Sequence, residues 1–227
     1  VYVLELSSYQ IDLTYSLDCD VAVLLNITPD HLDRYDGFEG YRQSKLRLFG
    51  LQTEPHAAIV ADADESVLQH ILDLPTGPGA LSLPPEEPNF AVHDQADFPA
   101  LQGPHNAQNI WAAASVAQYL GISAEALGDA LRTYPGLPHR MERIGAFGGV
   151  LFVNDSKATN PASTAPALSA YTRIHWIVGG LPKGDDLDEC APGFPHVVRA
   201  YTIGEAGPRF ADILAPHMPV ERCEMMC

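Results

Sequence analysis

Val21-Ala22-Val23-Leu24-Leu25-Asn26-Ile27-Thr28-Pro29-Asp30-His31-Leu32-Asp33-Arg34-Tyr35 is the stretch whose reading decides the fold. Its first half is an almost uninterrupted apolar, β-branched run, the pattern of a strand buried on both faces of a parallel sheet. Thr28-Pro29 stops the run, because proline has no N–H for the ladder and pushes its predecessor into extended geometry. Around that stop stand Asn26, Asp30, His31 and Asp33. Open parallel sheets bind ligands there, outside the carboxyl ends of their strands.

Upstream, Val1-Tyr2-Val3-Leu4-Glu5-Leu6 reads as a second buried strand. If residues 1–6 and 21–27 are parallel neighbours joined by the short crossover between them, Glu5 and His31 emerge at the same sheet edge. A buried carboxylate is costly unless it is paired or bound to a metal. The plainer alternative is a Glu5 in a salt bridge or facing solvent, beside a hydrogen-bonded structural His31. One carboxylate, one imidazole and phosphate oxygens suit a magnesium ion, although imidazole is the less usual ligand for so hard a cation.

With 46% hydrophobic residues, a 227-residue chain can build one large core or two modest ones. A net charge of -16, from 13 Lys and Arg against 29 Asp and Glu, argues against nucleic-acid and anionic-membrane partners. Anionic substrates must therefore meet local basic groups or a metal ion. Cys19, Cys190, Cys223 and Cys227 are scattered without a C-x-x-C pair, indicating neither a zinc site nor a disulfide framework. No apolar run approaches the roughly 20 residues of a membrane span, and no charged segment precedes an apolar leader. A soluble, cytoplasmic protein is expected.

Phe38 to Phe49 has helical spacing with Gly50 as a stop, and Lys45 lies beside its apolar stripe, where a snorkelling stem is the default reading. A strand at Ala57 to Ala61 and a helix at Glu65 to Leu72 follow. Signals near Leu81 and Phe90 predict small antiparallel decoration in a Pro- and Gly-rich passage. Gly103-Pro104 breaks the chain before an alanine-rich helix, Asn106 to Leu120, ended by Gly121. Asn106 is either a simple N-cap or, with Asn109, one of two amides able to meet adenine edges or phosphate oxygens. After a helix from Ala124 to Thr133, Tyr134-Pro135-Gly136-Leu137-Pro138 reads as a linker and places the domain boundary.

The second half opens with a turn at Gly148-Gly149 and a strand, Val150-Leu151-Phe152-Val153. That strand delivers Asn154-Asp155-Ser156-Lys157-Ala158-Thr159-Asn160 to a helix, Pro161 to Ala170, and then a strand, Ile174 to Gly180. The succession is Rossmann-like, yet no G-x-G-x-x-G follows the first strand. Asp155, Lys157 and Thr159 place an acceptor, a cation and a hydroxyl at one strand end. A helix-capping loop with Lys157 in solvent is the simpler alternative. Lys183 repeats the theme on the next loop. A strand at Val197 to Ile203, a helix at Gly207 to Leu214 and a strand at Val220 complete the chain.

Together these residues resemble the Mur ligases. The resemblance is carried by Leu4-Glu5-Leu6-Ser7-Ser8-Tyr9-Gln10, by Asn26-Ile27-Thr28-Pro29-Asp30-His31-Leu32-Asp33-Arg34-Tyr35 and by Tyr41-Arg42-Gln43-Ser44-Lys45-Leu46-Arg47. It continues through His105-Asn106-Ala107-Gln108-Asn109, Gly136-Leu137-Pro138-His139-Arg140-Met141-Glu142 and Asn154 to Asn160. Six motifs in family order span nearly the whole chain. The Ser-Ser-Tyr-Gln and Asn-Asp-Ser-Lys-Ala-Thr-Asn strings look like the D-glutamate-adding branch.

The resemblance implies an α/β fold: a partial central, parallel-sheet ATPase-type domain over 1–136, then a partial Rossmann-like C-terminal domain over 137–227. It implies ATP-dependent amide formation through an acyl phosphate, with UDP-N-acetylmuramoyl-L-alanine, D-glutamate and ATP as partners, by a monomer. Phosphoryl transfer is mostly positioning and charge neutralisation, so cations and metal ligands dominate the implied site. Glu5 and His31 would hold magnesium, with Lys45 as a carbamylated lysine supporting a metal. Asn106 and Asn109 would meet adenine, and Arg140, Asp155 and Lys157 would reach the nucleotide. Thr159 and Lys183 would face D-glutamate, leaving Asn26, Ser7 and Gln10 on the uridine side.

The family's N-terminal uridine-nucleotide domain, its Gly-Lys-Ser/Thr phosphate loop and the end of its third domain have no counterpart in this sequence. The chain alone is therefore expected to bind ATP poorly and not to turn over. Two other readings stay open: another Mur or folylpolyglutamate-type amide ligase, and a non-catalytic nucleotide-binding scaffold. Domain closure about the Gly136 linker is expected of the ligase.

Overall fold

A computed structural model of the chain describes residues 1–29, 34–53, 56–62, 64–75, 79–83, 95–181 and 186–223. His31, Lys183 and the strand expected near Phe90 lie outside them. The chain packs as two compact units, Val1–His93 with Gln108–Asp129, and Asp94–Ala107 with Ala130–Cys227.

The first unit is built on a parallel sheet in the order β1-β2-β3, from β1 (Val21–Leu24), β2 (Ala57–Val60) and β3 (Ala80–Ser82). Helix α1 (Ser8–Asp12) precedes β1, α2 (Gly37–Gly50) joins β1 to β2, and α3 (Glu65–Leu72) joins β2 to β3. Period-two alternation in β2 decides what covers it. Ala58 and Val60 pack with Leu46 and Phe49 of α2 and Val67 and Ile71 of α3. Ile59 and the following Ala61 pack on Trp111 and Ala112 of a later helix, α4 (Pro104–Tyr119). Strand β2 is thus the one closed on both faces, as parallel strands require.

Three expectations for this unit need correction. The run at 21–27 forms only four residues of strand with alternating burial, Val23 remaining exposed, because β1 lies at the sheet edge. Residues 1–6 form no strand: Val1, Tyr2 and Val3 are almost fully exposed and none of the described elements pairs with them. β-propensity alone does not order a strand, which needs cross-strand partners and a surface to pack on. Strand β3 runs parallel to β2 rather than forming antiparallel decoration.

Helix α4 starts two residues before the expected Asn106. It ends as predicted at Gly121, whose φ of 72° sits in a Schellman motif with Gly121 N–H donating to Gln118 O and Ile122 N–H to Ala117 O. Helix α5 (Ala124–Thr133) follows. The second unit holds an antiparallel hairpin of β4 (Glu142–Phe147) and β5 (Val150–Asn154). Its two-residue turn, Gly148-Gly149, has positive φ at both positions, the geometry that matches hairpin twist. The expectation that 150–153 begins the Rossmann-like parallel succession is thereby corrected, since β5 pairs with β4.

That parallel sheet has the order β6-β7-β8, from β6 (Ile174–Gly179), β7 (Val197–Ile203) and β8 (Val220–Arg222). Helix α6 (Pro161–Ser169) precedes β6, and α7 (Gly207–Leu214) joins β7 to β8. Leu168, Trp176, Phe194, Ala200, Phe210 and Leu214 form the core beneath the sheet. No helix among the described residues is long and apolar enough to cross a membrane.

Candidate functional site

In the first unit, polar groups stitch α1 to α2. Asp12 accepts from Tyr35 Oη at 2.9 Å and from Ser44 Oγ at 2.6 Å, while Arg47 donates to Ile11 O. A row of rings runs alongside: Tyr9 to Tyr35 at 6.2 Å and Tyr35 to Tyr41 at 5.5 Å. Arg34 lies 4.1 Å from the Tyr9 centroid and Lys45 5.1 Å from that of Tyr41. Lys45 is half-buried, with its ammonium over an aromatic face.

Ser7 and Gln10 are occupied with local structure. They form a capping box on α1, Ser7 N–H donating to Gln10 Oε1 at 2.9 Å and Gln10 N–H to Ser7 Oγ at 3.3 Å. Asn26, just past β1, donates to Gln108 Oε1 on α4 at 3.3 Å. Asn106 donates to Gln102 O at 2.9 Å, one turn back, so it is an internal first-turn residue and not the N-cap. Glu5 is exposed on its extended segment. Among the described residues no group of three or more His, Cys, Asp or Glu is placed to hold a metal ion.

The second unit brings two motifs together. The loop Leu137-Pro138-His139-Arg140-Met141 closes on the carboxyl end of β5. Met141 N–H donates to Asp155 Oδ1 at 2.9 Å and Lys157 N–H to His139 O at 3.0 Å. Glu142 Oε2 accepts from His139 N–H at 2.8 Å, and Asn154 Nδ2 donates to that carboxylate at 3.3 Å and to His139 Nδ1 at 2.8 Å. Arg140 and Lys157 remain exposed beside half-buried Asp155. The arrangement places two cations and an acceptor at one strand end, with a cleft of about 290 Å³ lined by Arg132, Tyr134, Gly136, Met141, Glu142 and Arg143 on the loop's flank. Thr159 is exposed just before α6, whose N-cap is Asn160.

Glu142 and Asn154 were not singled out by the sequence. The two-residue Gly-Gly hairpin rule applied at Gly148-Gly149 would have extended a strand back from Phe147 but set Arg143 opposite Asn154; the bulge between Arg143 and Gly145 shifts the register by one and brings Glu142 there.

Burial sets the protonation of the pair beneath the loop. It raises the Asp155 carboxyl above 3.8, against the pull of the Met141 N–H, then His105 and Arg140. Burial also holds the His105 imidazole below 6.5, against the attraction of Asp155, and His105 Nδ1 is buried without a hydrogen-bond partner among the described residues. A raised carboxyl stabilises the fold fully below 3.8, and that contribution is lost as pH rises through the folded value. Asp155→Asn keeps an acceptor for Met141 and removes the charge. Urea unfolding at neutral pH is expected to give the variant the higher midpoint, with the gap closing below pH 3.8. For His105 the sign is opposite. Its neutral ring stabilises above 6.5 and that contribution is lost as pH falls through the lowered folded value, a loss that His105→Gln should abolish.

Comparison with known proteins places these motifs in a family. The profile described as Mur ligase middle domain matches residues 1–78, and that described as Mur ligase, glutamate ligase domain matches residues 139–223. The UDP-N-acetylmuramoylalanine--D-glutamate ligase of Novosphingobium aromaticivorans is 60% identical over 227 residues, which are 100% of this chain and 51% of that protein. Its counterpart in Zymomonas mobilis is 55% identical over 214 residues, covering 94% of this chain and 48% of that one. The chain thus spans about half the length of the curated relatives it matches. The solved UDP-N-acetylmuramate-alanine ligase MurC of Thermotoga maritima shares the fold at a TM-score of 0.66 and 14% identity, over 96% of this chain and 53% of that one. Two profiles in order, and relatives matched along the whole of this chain, leave one assignment: the chain belongs to the Mur ligase family.

Proposed function

We propose that a ligase carrying this chain joins D-glutamate to UDP-N-acetylmuramoyl-L-alanine at the expense of ATP, a step of peptidoglycan precursor synthesis. The observation that carries the reading is 60% identity along all 227 residues to a protein named for that reaction. The substrate carboxylate attacks the γ-phosphorus and ADP departs, leaving an acyl phosphate. The amine of D-glutamate then attacks the acyl carbon, phosphate departs, and the amine proton passes to solvent or a nearby base. Positioning and neutralisation of phosphoryl charge supply most of the rate.

The exposed cations Arg140 and Lys157 suit phosphate oxygens, and Asp155 beside them suits a hydroxyl donor of the nucleotide. Asn106 and Asn109, early on α4, suit an adenine edge. In the same reading Thr159 and Lys183 face D-glutamate, Asn26, Ser7 and Gln10 lie toward the uridine substrate, and Lys45 is the carbamylated lysine that would support a metal. Glu5 and His31 are assigned to magnesium, from the resemblance alone. The test is phosphate release by the enzyme at the length of its relatives, given ATP, UDP-N-acetylmuramoyl-L-alanine and a panel of amino acids. Release that depends on D-glutamate supports the reading. Release that follows another amino acid or a folate substrate, or none at all, overturns it.

A further inference from the structure

We infer that Glu142, seconded by Asn154, is a positioning residue for Arg140, and that it acts by holding His139 in a left-handed backbone conformation. The inference deepens the proposed function and rests on Arg140 serving the nucleotide. Among the described residues, the non-glycine positions with positive φ are His139 at 63° and Met141 at 48°, the two neighbours of Arg140. A side chain with a Cβ adopts this region only when its surroundings over-determine it, and such strain clusters at functional sites.

The surroundings do so here. The carboxylate of Glu142 accepts the His139 N–H at 2.8 Å, that of Asp155 accepts the Met141 N–H at 2.9 Å, and Arg140 N–H donates to Leu137 O at 3.2 Å. A charge-assisted acceptor is the strong kind, and the Glu142 carboxylate supplies one, with Asp155 holding the chain on the other side of the exposed arginine. Asn154, opposite Glu142 in the β4–β5 register, donates to Glu142 Oε2 and to the His139 ring, which fixes the rotamers of both. The hairpin therefore carries the clamp, and the clamp turns Arg140 outward where it closes the Pro138-His139 reversal by pairing with Leu137. Without Glu142, His139 is free to relax to negative φ, and Arg140 leaves the strand end where Lys157 and Asp155 lie.

The experiment is a double-mutant cycle in the enzyme at the length of its relatives. Glu142→Ala is expected to raise the KM for ATP about 10-fold or more while kcat changes less, because a misdirected arginine weakens nucleotide binding. Glycine visits left-handed geometry without strain, so in a His139→Gly background the same Glu142→Ala change is expected to raise KM less than about 3-fold. An unaltered KM in Glu142→Ala, or an equal effect in both backgrounds, overturns the inference. Urea unfolding gives a readout independent of turnover: Glu142→Ala should lower the midpoint, and should lower it less when residue 139 is glycine. If wild type fails to turn over D-glutamate and the unfolding cycle still shows this coupling, the ligase reading fails and the clamp stands. Absence of coupling in the unfolding cycle sinks the clamp whatever the kinetics.

Discussion

Gly179→Ala is expected to remove about 3 kcal/mol or more from the stability of the second unit. At the end of β6 this glycine has a φ of 148°, and a Cβ built on it lies 1.9 Å from Ile203 O and 2.8 Å from Ile203 C, in the backbone of the neighbouring strand. Backbone cannot step aside as a side-chain tip can, so the two strand ends must part. Their separation breaks the Gly180 N–H to Ile203 O bond, and with it the Ala206 N–H to Gly180 O bond that ties down the N-cap residue of α7. Gly180→Ala is the comparison. Its φ of 99° is equally unusual, yet a Cβ there meets nothing within 4 Å, so about 1–2 kcal/mol of conformational strain is the whole expected cost. Trp176 sits in this core and Trp111 in the other unit, so urea unfolding in a Trp111→Phe background reads the second unit by itself. Equal costs for the two alanine variants would show that close approach is not what selects glycine at 179.

Lys45→Ala, in the enzyme at the length of its relatives, is expected to lower kcat/KM by about 100-fold or more, the size of effect that loss of a preorganised charge produces. The Mur ligase resemblance implies that this lysine carries a carbamate supporting the metal. A carbamate needs a neutral amine and dissolved carbon dioxide, so added bicarbonate is expected to restore part of the wild-type activity lost at low pH and none of the variant's. The structural cost should be small. The side chain lies over the Tyr41 ring at 5.1 Å, worth roughly 0.5–1 kcal/mol at a partly exposed site. Full activity in Lys45→Ala removes the residue from the site. Reduced activity that tracks reduced stability makes it merely structural.

Helix positions were the most legible part of the fold. The spacing from Phe38 to Phe49 and the span Ala124 to Thr133 read off almost residue by residue, because an apolar stripe and local stop signals are properties of contiguous sequence. Strands fared worse for a physical reason. Val21 to Ile27 and Ala57 to Ala61 look alike as strings, yet only the second is enclosed on both faces, which depends on which strand takes the middle of the sheet. The run Val1 to Leu6 has the composition of a strand and forms none, since pairing is a property of neighbours.

At the candidate site, the sequence located Arg140, Asp155 and Lys157 by their motifs. It did not foresee that Asp155 is tied to a main-chain N–H, nor that Glu142 and Asn154 brace the loop. Such bonds follow from a left-handed backbone at His139 and Met141, and no side-chain pattern announces that conformation. His105 escaped notice for the same reason, its proximity to Asp155 arising from two segments 50 positions apart in the chain.

Leu24, Leu46 and Ile71 close one apolar cluster, Trp176, Leu187 and Leu214 another, and among the described residues none belongs to both. Heat or denaturant therefore confronts two cooperative blocks, and a single melting temperature does not define the chain. A lesion that unravels one block leaves a half-folded polypeptide whose freshly bared aliphatic surface is what chaperones and proteases intercept, so damage in either block lowers abundance before it touches chemistry.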